Sequence, residues 1–216
     1  MDPDVALAAH LAADLDRGFP VLVEAHASRL YTIAHRLLGT PGDAEEVAQD
    51  ALVRAYRALV GYEAARIREL RLRPWLATIT VNLARNRRRR VTDRQPAISL
   101  GPLVDAGLEP AEQADTGPAT QAERTDTRRR LAAALLELPP GMRAAVVLRH
   151  VDGLSVAETA AALRLPEGTV KAQVSRGLAR LRARLATIND PEPPPATRGA
   201  TPRIQPHPTS VKELTA

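Results

Sequence analysis

The stretch from Leu154 to Leu185 leaves the chain few ways to fold. Ser155 and Glu158 form the S-x-x-E signature of a capped helix start, and the helix that follows runs to about Leu163. Arg164-Leu165-Pro166-Glu167-Gly168 then breaks the pattern. From Thr169 to about Ala186, Val170, Val174, Leu178, Leu181 and Leu185 recur at helical spacing. A capped helix, a short turn and a longer second helix have the spacing of a helix-turn-helix. The rest of the chain agrees with a helical architecture. Its 216 residues include only one Phe, three Tyr and one Trp, too few aromatics for a β-sandwich core, whereas abundant Ala, Leu, Arg and Glu favour helices packed on aliphatic faces. The fold class expected is all-α, built as two small helical domains joined by a flexible acidic linker.

The helical patterning falls into two blocks. Residues 1–18 read as an N-terminal extension. Residues 19–91 form the first domain. There Leu22, Leu30, Ile33, Ala34, Leu37 and Leu38 make one stripe, ended by Gly39-Thr40-Pro41-Gly42. A second helix is expected from Asp43 as N-cap, with Val47, Ala48, Ala51, Leu52, Ala55 and Leu59 inward. A loop opens at Gly61-Tyr62, and a third helix runs from Pro74 and Trp75 to about Arg90. Between 92 and 127 there are seven acidic residues against two basic, a net of −5, with Pro and Gly interrupting any period. Such a stretch buries too little apolar surface to offset its ordering entropy, so 92–126 reads as a flexible acidic linker. Patterning returns over 127–186 with Leu131, Leu135 and Leu138 inward. The Pro-rich segment 187–216 reads as a disordered tail.

Composition narrows the function. No apolar run reaches the roughly 18–20 residues of a membrane span, and the N-terminal MDPDVALAAH lacks a basic signal-peptide region. The absence of Cys rules out disulfides and thiolate metal sites and suits a reducing, cytoplasmic interior. There is no phosphate-cradling Gly loop and no GxSxG. His10, His26, His35, His150 and His207 are scattered without ligand spacing. The expectation is a protein with no catalytic residue, metal, cofactor or small-molecule substrate, and no membrane insertion: not an enzyme.

Charge is the positive signal. The formal net charge is +5, and 28 of the 30 basic residues are Arg, an excess that GC-rich codon bias partly explains. On the second helix of the helix-turn-helix, Lys171, Ala172, Ser175, Arg176, Ala179 and Arg180 lie away from the apolar stripe, where early-turn side chains reach base edges and later Arg reach phosphates. The competing reading is an amphipathic hairpin with a solvated Arg face. Capping box, turn and basic second helix together favour DNA. In the 74–90 helix, Leu76, Ile79, Thr80 and Leu83 face inward while Thr78, Asn82, Arg85 and Arg89 line another face. Over 68–94 nine Arg oppose Glu69 and Asp93, a net of +7. Arg at a helix C-terminus also merely complements the macrodipole, yet so dense a cluster points to nucleic acid. Trp75 reads as a core anchor. The acidic start of the 43–60 helix is an ordinary capped terminus in isolation. It also presents carboxylates away from the basic surface, as a protein-docking face does.

Three words in series carry a family resemblance. RLYTIAHRLLGTPGDAEEVAQDALVRAYRAL (29–59) resembles the start of region 2 of a bacterial RNA polymerase sigma factor of the extracytoplasmic-function group of the sigma-70 family. RPWLATITVNLARNRRRR (73–90) resembles that region's promoter-melting and −10-reading part. LLELPPGMRAAVVLRHVDGLSVAETAAALRLPEGTVKAQVSRGLARLRARL (135–185) resembles region 4. The resemblance implies core RNA polymerase as partner, through the β′ clamp and β flap. Asp43, Glu45, Glu46, Gln49 and Asp50 would meet the clamp. It implies promoter DNA as the second partner. Asn82, with Thr78 and the loop around 62–72, would hold the −10 strand, and Arg85, Arg88 and Arg89 would take phosphates. Thr169, Lys171, Ala172, Ser175, Arg176 and Arg180 would face the −35 groove. An anti-sigma factor is a further implied partner, and the linker would thread toward the polymerase cleft. Four positions depart from the usual pattern. Arg164 stands where Gly is frequent, and a non-Gly residue in a left-handed position costs on the order of 1 kcal/mol. Gln173 and Ser175 replace an Arg and a His or aromatic. Arg87 stands where Asp is frequent.

Two other function classes fit part of the pattern. A stand-alone helix-turn-helix regulator would use 19–90 for dimerisation or sensing and bind a palindrome. A docking protein that used only the acidic helix and tail would leave both Arg-rich helices unexplained.

Overall fold

A computed structural model of the chain describes the backbone of residues 3–94 and 118–189, with side chains for 3–90 and 126–186. Among the described residues there is no strand. The elements are α1 (Pro3–Ala13), α2 (Leu15–Leu38), α3 (Pro41–Val60), α4 (Ala64–Arg68), α5 (Leu72–Arg94), α6 (Pro118–Glu137), α7 (Pro140–Val146), a π-helical turn (Val147–Val151), α8 (Val156–Leu163) and α9 (Glu167–Asn189). No described helix is long and apolar enough to cross a membrane.

Helices α2, α3 and α5 pack on one another as the first module. Leu22, Leu30 and Ile33 of α2 meet Ala44, Val47, Ala51, Ala55 and Leu59 of α3 and Leu72, Leu76 and Val81 of α5, all buried. Small Ala faces let the axes approach closely while the longer aliphatics fill the centre. The N-terminal extension belongs to this core. Helix α1 lies across α2 and α4 with Leu7, Ala8 and Leu11 buried. Its junction with α2 is set by Asp14, whose carboxylate accepts the Arg17 N–H at 3.0 Å.

The α2–α3 corner corrects one local expectation. Gly39 ends α2 in a left-handed conformation (φ +85°), its N–H donating to the His35 carbonyl. Helix α3 then begins at Pro41, with Thr40 at the cap position and Pro in the first turn, where a missing N–H costs nothing. Asp43 is therefore inside the first turn and is not the N-cap. It accepts the Thr40 hydroxyl at 2.6 Å. Likewise α5 starts at Leu72, two residues before Pro74, and the loop before it contains the short helix α4, anchored by buried Ile67.

In the second module Ala134, Leu135, Leu138, Val146 and Leu181 form a small core between α6, α7 and α9. Leu131, expected inward, is 40% exposed, one turn before the buried patch begins. The rest of this module's apolar surface does not stay within it. Leu148, Leu154, Ala162 and Leu163 join the core of the first module, so α8 rests on α5, and α6 and the π-helical turn rest on α2. Arg143 pins the same contact. It is buried, and its guanidinium donates to the Leu37 carbonyl at 2.7 Å and the Leu138 carbonyl at 3.1 Å. Burial, helped by the nearby charge of Arg88, lowers its pKa to about 10.

Most of the expected linker, 95–117, lies outside the described residues. Its flanks, 92–94 and 118–126, are helical. The tail expected over 187–216 lies outside them from 190 onward, and 187–189 complete α9.

Candidate nucleic-acid interface

The helix-turn-helix is built by local chemistry. The Ser155 hydroxyl accepts the Glu158 N–H at 3.1 Å and the Glu158 carboxylate accepts the Ser155 N–H at 2.7 Å, a complete capping box. The Ser155 backbone donor holds the Glu158 carboxyl below the usual range, against the effect of partial burial. At the far end Arg164 adopts φ 54°, ψ 48°. Its N–H donates to the Ala161 carbonyl and the Leu165 N–H to the Ala160 carbonyl, closing a Schellman turn. This is the left-handed position that the sequence marked.

Helix α9 leaves that turn with Val170 fully buried and Val174, Leu178 and Leu181 inward. Thr169, Lys171, Ser175, Arg176 and Arg180 are exposed and Ala172 is half-buried, so the six residues expected to read DNA share the outer side of one helix. Two glycines that the sequence reading passed over set the height of that helix. A Cβ on Gly177 would lie 2.7 Å from Val146 Cγ2, and one on Gly141 would lie 3.2 Å from Gln173 Nε2. Their only sequence signal is a glycine inside a helical pattern, which marks close backbone approach. An open groove of about 460 Å³ beside α9 is lined by Arg149, His150, Lys171, Val174, Leu178 and Arg182. Arg149 thus adds to the cationic edge.

On α5, Leu76, Thr80 and Leu83 are buried and Ile79 is partly buried against them, which matches the expected inward face. Arg85 and Arg89 are exposed, and Thr78, Asn82 and Arg88 are half-buried. The Thr78 hydroxyl donates to the Pro74 carbonyl at 2.7 Å, so its proton is already used within the helix and only its lone pairs face outward. Trp75 is partly buried against the core and lies 6.3 Å from the Tyr62 ring, over which Arg66 stacks at 3.8 Å. These contacts hold the 62–72 loop beside α5.

The acidic start of α3 is not turned away from the basic surface, as the sequence suggested. Arg87 of α5 reaches Asp43 at 2.6 Å and Glu46 at 2.5 Å. The sequence reading could not place this pair because its members sit on different helices. Glu45, Glu46, Gln49 and Asp50 are exposed, and Gln49 donates to Glu45 at 3.3 Å. The described residues contain no group of three or more His, Asp or Glu placed to hold a metal.

The described residues thus carry two exposed cationic helix faces, one of them the second helix of a helix-turn-helix of the DNA-binding kind, and an exposed acidic helix start. Comparison with known proteins specifies the class. The model "Sigma-70 region 2" matches residues 22–94 and the model "Sigma-70, region 4" matches 128–181. The chain is 37% identical over 166 residues to the ECF RNA polymerase sigma factor SigE of Mycolicibacterium smegmatis, covering 76% of this chain and 60% of that protein. It is 34% identical over 187 residues to the ECF RNA polymerase sigma factor SigM of Mycobacterium tuberculosis, covering 85% of this chain and 84% of that one. Among solved structures it is similar to the sigma factor RpoE in its complex with the anti-sigma factor NepR from Bartonella quintana. The TM-score is 0.55 at 26% identity, covering 78% of this chain and 96% of that one. The chain belongs to the extracytoplasmic-function group of the sigma-70 family of RNA polymerase sigma factors.

Proposed function

We propose that this chain is a promoter-specificity subunit, which binds core RNA polymerase, reads a −10 element with α5 and a −35 element with α9, and aids melting of the duplex. The observation that carries this reading is the pair of outward cationic faces, one in each segment matched by the family models. Asn82, half-buried on the helix that also carries Trp75, would hold an unstacked base, and Arg85, Arg88 and Arg89 continue along the helix toward the phosphates. On α9, Thr169, Lys171, Ala172, Ser175 and Arg176 occupy the early turns that enter a major groove, and Arg180 follows at phosphate level. The exposed carboxylates of α3 supply the clamp-docking face. The chain does no bond chemistry in this reading. It acts where polymerase acts, in the cytoplasm, and polymerase holds its two weak readers at a fixed spacing.

The solved relative bound to an anti-sigma factor supports a protein inhibitor of the same kind for this chain. Separate substitutions test the assignment of roles. Arg176→Ala should cost about 1–3 kcal/mol of discrimination at one −35 base pair. Arg89→Ala should weaken binding to all promoters alike and lower the salt dependence by about one unit. Run-off transcription over a promoter panel and a salt series distinguishes these outcomes. Equal losses from both variants on every promoter would remove the division of labour.

A further inference from the structure

Gln173 follows Ala172 on α9, at the edge of the face assigned to the −35 groove. A Gln at such an edge can turn outward and pair both amide atoms with an adenine. In the structure it turns inward instead. The residue is half-buried, and its amide covers Gly141 of α7, with Nε2 3.2 Å and both Cδ and Oε1 3.6 Å from where a Cβ would stand. Its Oε1 is out of water and has no hydrogen-bond partner. An amide in water keeps its hydrogen bonds, so one that gives them up is held by packing.

The seat is specific. Gly141 lies in the first turn of α7, behind Pro139 and Pro140, and Pro139 at the cap position makes no side-chain capping bond. Any larger residue at 141 would meet the amide at once. One turn further along α9 the fit is reversed. There Gly177 receives Val146 of α7, whose Cγ2 would stand 2.7 Å from an added Cβ, and Met142 lies 3.7 Å from the same point. Thus α9 puts a side chain into a glycine gap of α7, and α7 puts one into a glycine gap of α9. Two such close contacts, one turn apart on one side of a helix, fix its roll as well as its height.

Thr169 and Arg176 lie one turn to either side of Gln173, and Ala172 adjoins it. These residues move first when the seating of Gln173 changes. We propose that Gln173 is a positioning residue for the −35 element. Seated on Gly141, it sets the roll of α9, and so where Thr169, Ala172 and Arg176 meet the base edges, and it reads no base itself. This rests on the function proposed above. The pair also gives a physical reason for Gln at a position where the family resemblance leads one to expect Arg. A side chain that lies on a glycine inside the α7–α9 contact needs length and a planar end, whereas a guanidinium there would carry a charge out of water.

The test uses the full chain and separates shape from hydrogen bonding. Gln173→Met keeps the length of the side chain and removes the amide, whereas Gln173→Ala removes both. Gly141→Ala fills the seat, and the double variant with Gln173→Ala puts a methyl where the amide was lost. Run-off transcription with core polymerase is measured at a promoter where the parent protein initiates and at its single-base-pair variants across the −35 element. Positioning predicts that Gln173→Met discriminates as the parent does, within about twofold. Gln173→Ala and Gly141→Ala should each lose roughly fivefold or more of discrimination at neighbouring base pairs together, and the double variant should recover most of it. A loss confined to one base pair and shared by Gln173→Met and Gln173→Ala would make Gln173 a base reader and overturn the proposal. Parental discrimination in Gln173→Ala would overturn it too. So would a loss of initiation equal at every promoter variant and matched by lost helical circular dichroism, the mark of a purely structural contact. A parent protein that initiates at no promoter overturns the sigma reading, whereas a parent that discriminates beside a Gln173→Met that does not overturns this proposal alone.

Discussion

Arg87 clamps Asp43, its Nε donating to the carboxylate at 2.8 Å from a helix that the sequence separates from it by 44 residues. Partial burial would raise the Asp43 carboxyl, but the Thr40 hydroxyl and the Arg87 guanidinium outweigh it and hold the group below the usual carboxylate range. A depressed carboxylate contributes stability above its unfolded value of 3.8, and that contribution disappears as the pH falls through the folded value. Arg87→Ala should therefore move the Asp43 titration upward in a carboxyl-carbon NMR series. The loss of stability at pH 7 should be at most about 1 kcal/mol, because both side chains are partly exposed to screening solvent. An Asp43 titration that does not move would show that the pair is not formed in solution.

Gly177 and Gly42 should respond to alanine with opposite signs. At Gly177 the new methyl would meet the buried, β-branched Val146 at 2.7 Å, with no flexible side-chain end to give way. Overpacking of that kind costs about 1–3 kcal/mol. At Gly42 nothing lies within 4 Å of the added Cβ, so alanine should stabilise α3 by up to about 1 kcal/mol through its helix propensity. Urea unfolding of the two variants checks both signs.

Arg164 holds a left-handed conformation with no glycine freedom. Arg164→Gly should raise stability by up to about 0.5 kcal/mol, the relief of the left-handed penalty less the added freedom of the unfolded chain. A loss of stability would mean that the Arg side chain contributes more than its backbone costs.

His26 gives a pH signature. It is buried, and desolvation lowers its pKa, opposed by Asp4 and assisted by the charges of Arg29 and Arg73. The unfolded chain takes the proton near pH 6.5 and the folded chain only at lower pH. Stability is therefore complete above that value and falls as the pH drops through it toward the folded value. The melting temperature should be lower at pH 5.5 than at pH 7.5, and His26→Leu should flatten that step. An equal step in the variant would assign it to other groups.

What the sequence made legible follows from the range of the forces involved. The capping box of α8, the left-handed residue at Arg164 and the inward stripe of α9 are each determined within a few residues, and each stands where the pattern put it. The start of α3 was misread because Asp43 is a strong cap former, while the decisive feature, Pro41 in the first turn, lies two residues earlier. Leu131 lies on the same stripe but one turn before the buried patch begins at Ala134. The pairings of Arg29 with Asp152, 123 residues apart, and of Arg143 with the Leu37 carbonyl, 106 apart, had no local signal at all. An Arg on a helical face reads as solvated until the fold brings a carboxylate or a carbonyl to it. The outward positions of Asn82, Lys171 and Arg176 were legible from periodicity, whereas the neutralisation of part of the acidic face by Arg87 was not.

The central claim is tested most directly by run-off transcription from genomic promoter fragments with bacterial core polymerase, with and without this protein, beside a gel shift of the protein alone on the same DNA. The account predicts initiation that requires both protein and core, with little specific binding by the protein alone. Tight binding to a palindromic site without polymerase, and no initiation in its presence, would contradict it.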